Sequence, residues 1–130
     1  MTVLKGKDDM NLARMLVVDD DAASCQVLAH ILRYNDIEVD VATNAHDAMF
    51  YLAHNAYSLA ILDLAMPDVD GWELLHAIHE NPATASLPCV AVTAYYDPAL
   101  AVEAENAGFV RCFPKPVLPT FARDLGEIFS

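Results

Sequence analysis

Residues 58–71 read SLAILDLAMPDVDG. Leu59, Ala60, Ile61 and Leu62 form an uninterrupted apolar run of strand length, the mark of a strand buried on both faces. The run ends on a carboxylate, Asp63. Met66-Pro67-Asp68 and Asp70-Gly71 follow, which is turn chemistry leading into a helix. A carboxylate at the carboxyl end of a buried strand, held by a tight loop, lies where open α/β sheets place their chemistry.

Working upstream, residues 45–55 carry Ala48, Met49, Leu52 and Ala53 on one helical face, with Thr43 or Asn44 as the cap. Residues 37–42, IEVDVA, alternate apolar and polar and predict a strand with one face less buried. Asn35-Asp36 is a turn. Residues 22–34 place Ala23, Val27, Leu28, Ile31 and Leu32 at helical spacing. Before them, residues 12–18, LARMLVV, predict a first strand ending in Asp19, Asp20 and Asp21. Residues 1–11 are a short polar lead.

Downstream, residues 71–79 predict a helix with Leu74, Leu75 and Ile78 inward, broken by Asn81-Pro82. Residues 87–93, LPCVAVT, are another apolar run closing on a polar residue, Thr93. Asp97 caps a helix that starts at Pro98 and runs to about residue 106, with Gly108 as its C-terminal cap. Residues 109–113 predict the last strand, followed by Pro114-Lys115-Pro116 and a final helix from 119 or 120 to 128. Strands alternating with helices five times imply a parallel sheet covered on both faces. All strand C-termini then share one edge, which receives Asp19, Asp20, Asp63, Thr93 and Lys115.

The chain has 130 residues, 55% of them hydrophobic, which suits one domain with a core. A formal net charge of −12 disfavours direct contact with nucleic acid or an anionic membrane and suits basic partner surfaces or cations. No run is long enough to span a membrane, and the N-terminus lacks the apolar core of a signal peptide, so the cytoplasm is the default location. Cys25, Cys89 and Cys112 are widely spaced and read as buried free thiols. His76 and His79 share a helix face without a third metal ligand nearby in sequence.

Taken singly, each polar strand end has a plain structural role: a carboxylate caps a helix, a threonine bonds backbone, a lysine packs its stem. Asp21 is assigned to capping, and Asp68 and Asp70 to the loop and helix start. Converging on one edge, the others form a set. Crowded carboxylates repel and call for a hard cation; Mg²⁺ takes oxygen ligands, typically one or two carboxylates plus a phosphate oxygen. Asp20 and Asp63 are the direct ligands, with Asp19 direct or through water. A carboxylate is also a nucleophile able to form an acyl phosphate. Lys115 would neutralise phosphoryl charge and Thr93 would donate a hydroxyl hydrogen bond.

The chain resembles the receiver domain of two-component response regulators through LVVDDD at 16–21, ILDLAMPDVDG at 61–71, VTA at 92–94 and KP at 115–116. The resemblance covers residues 12–129, leaves 1–11 as the lead and leaves no output domain. It implies a flavodoxin-like doubly wound (βα)5 fold, α/β, with strand order 2-1-3-4-5. It further implies that Asp63 accepts a phosphoryl group from phosphohistidine on a histidine kinase or phosphotransfer protein. Asp19, Asp20, Asp63 and the backbone carbonyl of Ala65 would hold Mg²⁺; Thr93 and Lys115 would contact the phosphoryl oxygens. The Lys115–Pro116 bond would be cis. The downstream target would be met by the face of helix four, strand five and helix five, where many relatives form homodimers. No external turnover is expected, and an aspartyl-phosphate hydrolase is disfavoured because Ala65 stands where such enzymes carry a second acid.

One position departs from the pattern. The switch region, Thr93, Ala94 and an aromatic three residues before the lysine, has Cys112 in place of that aromatic. Phe113 is adjacent but faces the opposite side of the sheet. A phosphorylation-independent interaction module on the same fold is the alternative function. Pro114 removes a strand N–H, which an edge strand tolerates. Ala65 offers no group to orient an attacking water, and Tyr95 lies where it would shield the phosphoryl group. Autodephosphorylation is therefore expected to be slow; radiolabel lost with a half-life of seconds would contradict this.

Overall fold

A computed structural model describes residues 14–128. The expected polar lead, Leu12 at the start of the first strand, and Phe129 lie outside the described residues. The elements alternate strictly: β1 (Arg14–Val18), α1 (Ala22–Tyr34), β2 (Glu38–Ala42), α2 (Ala45–His54), β3 (Leu59–Asp63), α3 (Gly71–Glu80), β4 (Cys89–Thr93), α4 (Pro98–Ala107), β5 (Cys112–Pro114) and α5 (Phe121–Ile128). The strands form one parallel sheet in the order β2-β1-β3-β4-β5. The expected fold class and strand order are both observed.

Side-chain alternation along the strands sorts the core into two layers. Leu16, Val18, Ala60, Leu62, Cys89 and Ala91 pack on α2, α3 and α4 through Ala48, Leu52, Leu74, Ile78 and Ala104. Met15, Val17, Leu59, Ile61, Val90 and Val92 pack on α1 and α5 through Leu28, Leu32, Phe121 and Leu125. Every residue of β3 and β4 is buried, which is why both read as unbroken apolar runs. β2, at an edge, is exposed at Glu38 and only half-buried at its centre.

The helix starts follow the sequence. Asp21, Asn44, Asp70 and Asp97 each accept a hydrogen bond from the backbone N–H three residues on. Asp70 and Glu73 complete a reciprocal capping box on α3. At the end of α4, Gly108 has φ 124°, and the amides of Gly108 and Phe109 bond back to the carbonyls of Glu105 and Ala104.

Three local expectations are corrected. On α1, Ala23 and Val27 face solvent, and Cys25 and Ala29 are buried instead. That helix carries apolar residues over more than one face, so its periodicity left the buried stripe underdetermined. On α2, Ala53 is exposed; the buried residues are Ala45, Ala48 and Leu52, with Met49 partly buried against the same layer. The last strand begins at Cys112, not at residue 109, because Phe109 is still closing the end of α4. Val110 and Arg111 nevertheless bond to β4 on the way in.

Gly71 opens α3 directly against the loop it leaves. A Cβ there would lie 2.3 Å from the Asp63 carbonyl oxygen and 2.9 Å from the Leu64 Cα. Both neighbours are backbone, so neither can move aside cheaply. Gly71→Ala is expected to destabilise the fold by about 2 kcal/mol or more. Urea unfolding checks this; a loss under about 0.5 kcal/mol, the range of an inert surface change, would contradict it.

Candidate functional site

Parallel register brings the strand ends together. Val18 pairs with Leu62, so Asp19 and Asp63 each stand one residue beyond a paired position on neighbouring strands. Asp63 pairs with Val92, which sets Thr93 beside it at the end of β4. The Lys115 amide donates to the Thr93 carbonyl at 2.9 Å, fixing the residue after β5 to the same edge. The Lys115–Pro116 peptide is cis, as expected.

The ammonium of Lys115 is shared by two buried carboxylates. Its Nζ lies 2.7 Å from Asp19 Oδ2 and 3.3 Å from Asp63 Oδ2. Asp20 is exposed at the rim, and oxygens of Asp19, Asp20 and Asp63 lie within 4.8 Å of one another. Three carboxylates against one ammonium leave two negative charges uncompensated. Thr93 is buried, and its Oγ1 accepts from the Tyr95 N–H at 3.0 Å.

Burial, and then the charge of Asp19, push the Asp63 carboxyl up from 3.8 to about 6, despite the opposing pull of Lys115 and of the Ala65 N–H. That N–H donates to Asp63 Oδ1 at 3.2 Å. Burial alone would lower Lys115; the adjacent carboxylates of Asp19 and Asp63 outweigh it and hold the ammonium above its ordinary value.

Two supports were not foreseen from the sequence. The Asp21 N–H donates to Asp19 Oδ1 at 2.9 Å, so Asp21 holds its neighbour as well as capping α1. The Cys25 thiol donates to the Asp19 carbonyl at 3.1 Å, and burial pushes it up to about 11, which keeps the proton in place. A cysteine six residues past the acid, one turn into a helix, carries no signal for this contact in sequence.

The site suits a hard divalent cation on its own chemistry. Its donors are carboxylate oxygens, its charge is unbalanced by two, and Asp19 Oδ2 is fully buried without a hydrogen bond of ordinary angle. The ion pair to Lys115 at 2.7 Å is its one close charge partner among the described residues.

The remaining sequence candidates separate in space. Ala65 and Ala94 are exposed in the loops after β3 and β4. Cys112 is buried opposite Ala91 and belongs to the α2–α4 layer. Phe113 belongs to the other layer, stacked edge-on against Phe121 at 5.0 Å, so it does not substitute for an aromatic at 112. Tyr95 is 74% exposed, more than a side chain closed over Asp63 would be. His76 pairs with Glu80, and His79 contacts the Leu87 carbonyl, each away from the acidic group.

A doubly wound sheet with three acids and a lysine at its C-terminal edge is a receiver-type domain. Residues 15–123 match the sequence model of the response regulator receiver domain, and the chain belongs to that family. It is 38% identical over 110 residues to an uncharacterised 14.6 kDa protein of Leptolyngbya boryana, covering 83% of this chain and 84% of that one. It is 34% identical over 116 residues to the transcriptional regulatory protein ZraR of Salmonella typhimurium, covering 88% of this chain but only 24% of ZraR. Among solved structures, a CheY-like receiver domain protein of Methanospirillum hungatei is 33% identical with a TM-score of 0.75, covering 91% of this chain and 90% of that one. The Francisella response regulator 1452 receiver domain shares the fold with a TM-score of 0.81, at 23% identity over 90% of this chain and 96% of that one.

The raised Asp63 carboxyl has a thermodynamic sign. A group whose folded value, about 6, exceeds its ordinary 3.8 favours the fold below about pH 4 and loses that contribution as pH rises through 6. The upper bound is about 3 kcal/mol, reduced by relaxation of the pocket. In chelator-treated protein at pH 7.5, Asp63→Asn is expected to raise the thermal midpoint by roughly 5 °C, with the gain shrinking below pH 6. An unchanged or lower midpoint at pH 7.5 would contradict the electrostatic reading.

Proposed function

We propose that this domain receives a phosphoryl group on Asp63 from phosphohistidine on a histidine kinase or phosphotransfer protein and signals by protein contact. The observation that carries the reading is the Lys115 ammonium held between Asp19 and Asp63 at the strand ends. An oxygen of Asp63 attacks phosphorus, the phosphorus–nitrogen bond of the donor breaks, and the imidazole leaves with that electron pair. Asp63 attacks as the carboxylate, the form that the Lys115 ammonium 3.3 Å away favours against burial and the charge of Asp19. Lys115 exchanges part of its contact with Asp63 for the incoming phosphoryl oxygens. Thr93 turns its hydroxyl toward them from the end of β4.

Mg²⁺ would be held by Asp19, Asp20, Asp63 and the Ala65 backbone carbonyl. Bound there, it supplies charge neutralisation to the phosphoryl oxygens. The intact set of acids and lysine favours this reading over a phosphorylation-independent interaction module. The domain is a substrate of the transfer, and no external turnover is assigned to it.

The outlet is the face of α4, β5 and α5, where Val102, Val110 and Leu118 are exposed. A downstream protein, or a second copy in a homodimer, would meet this face. No described helix is long and apolar enough to cross a membrane. A cytoplasmic location is part of the proposal, because histidine kinases present their phosphohistidine there.

Incubation with acetyl phosphate and Mg²⁺ is expected to give a slower band on a phosphate-affinity gel. Chelator or the Asp63→Asn substitution should abolish it. A shifted band that survives Asp63→Asn, or none in the wild type, would overturn the proposal.

A further inference from the structure

The small side chain of Cys112 leaves space that the fold does not fill. A groove of about 330 Å³ runs between α4, β5 and α5, with Cys112, Ala101, Phe113 and Phe121 among its apolar lining. Tyr96 stands at its edge, 41% exposed, and among the described residues its hydroxyl meets no hydrogen-bond partner. An aromatic ring beside an apolar groove gains by entering it, because ring burial is favourable and the phenol oxygen can remain at the mouth in water.

Tyr96 is tied to the phosphoryl pocket through two residues. Thr93 is buried, and its backbone is fixed by the Lys115 N–H. Its hydroxyl oxygen accepts from the Tyr95 N–H at 3.0 Å, which holds the loop after β4 in its present path. The loop is otherwise light: Ala94, Tyr95 and Tyr96 are all exposed. The helix that follows also gives way easily, since Ala104 is the one fully buried residue of α4. Few buried contacts and exposed backbone bonds mark a segment that rearranges at low cost.

We infer that Tyr96 is the moving aromatic of this domain, and that it closes into the groove over Cys112 when Thr93 turns toward a phosphoryl group on Asp63. The inference rests on the phosphoacceptor reading of Asp63. Reorientation of the Thr93 hydroxyl releases the Tyr95 N–H, the loop loses its tether, and the ring of Tyr96 swings inward. The aromatic comes from the loop after β4 rather than from β5. Closure removes the groove from the α4–β5–α5 face, so the two states present different surfaces to a partner. The device is reciprocal: whatever favours the closed ring must also tighten the phosphorylated state by the same factor.

The test uses the full chain labelled with 3-fluorotyrosine, with the Tyr96 resonance assigned by its loss in Tyr96→Phe. Fluorine NMR is recorded with Mg²⁺ before and after beryllofluoride, a stable mimic of the phosphoryl group. Occupancy is read independently from backbone amide shifts around Asp63. The expected result is that the Tyr96 resonance moves and becomes protected from a soluble paramagnetic probe. In Cys112→Phe, which fills the groove, Tyr96 is expected to stay exposed with beryllofluoride bound. Tyr96→Ala should weaken beryllofluoride binding about fivefold.

An unmoved, exposed Tyr96 in the beryllofluoride-bound wild type would overturn the inference and leave the phosphoacceptor reading standing. Protection of Tyr96 that persists in Cys112→Phe would overturn the groove as its destination. No beryllofluoride binding at all would overturn both, because the switch would then lack its trigger.

Discussion

Two buried carboxylates on adjacent strands face the same ammonium, and the arrangement of the domain's working end follows from that contact. Asp19 and Asp63 repel each other where water cannot screen them. Lys115 answers both at 2.7 and 3.3 Å, but one positive charge does not balance three acids. The strand ends are therefore held together by the sheet against their own electrostatics. The unbroken apolar lengths of β1, β3 and β4 supply that force, through burial on both faces.

The constraint reaches outward through backbone. Gly71 must lack a side chain because α3 begins against the Asp63 carbonyl. Asp21 and Cys25, at the start of α1, hold the Asp19 carboxylate and carbonyl. The Lys115 amide closes on Thr93, so the lysine's position and the threonine's are set by one hydrogen bond. The loop after β4 is exposed from Ala94 to Tyr96 and is tied to the pocket by the Tyr95 N–H on the Thr93 hydroxyl oxygen. Under the proposed function, that loop is where a change of charge at Asp63 becomes a change of surface.

The architecture is legible in the chain because β1, β3 and β4 are buried on both faces, which turns each into an apolar run that meets a polar residue at its end. Asp19, Asp20, Asp63, Thr93 and Lys115 stand out because they lie at or just beyond strand ends that share one edge. Strand alternation alone puts Cys112 and Phe113 in opposite layers, as the fold has them. What escaped was tertiary. The buried stripe of α1 depends on how the helix rolls against α5 and β2, which leaves Val27 in solvent despite its helical spacing. β5 starts later than its sequence pattern suggests, because the Phe109 N–H after Gly108 first closes the end of α4. The thiol of Cys25 under Asp19, and Tyr96 at the edge of the groove, depend on packing that no local pattern encodes.

The central claim is that Asp63 forms an acyl phosphate, and chemical trapping tests it most directly. Borohydride reduces an aspartyl phosphate to homoserine, which peptide mass spectrometry locates. After phosphorylation by a small-molecule donor with Mg²⁺, homoserine is predicted at position 63 and at no other acid. Homoserine at Asp19 or Asp20, or phosphate found on a hydroxyl or histidine with Asp63 unreduced, would contradict the account.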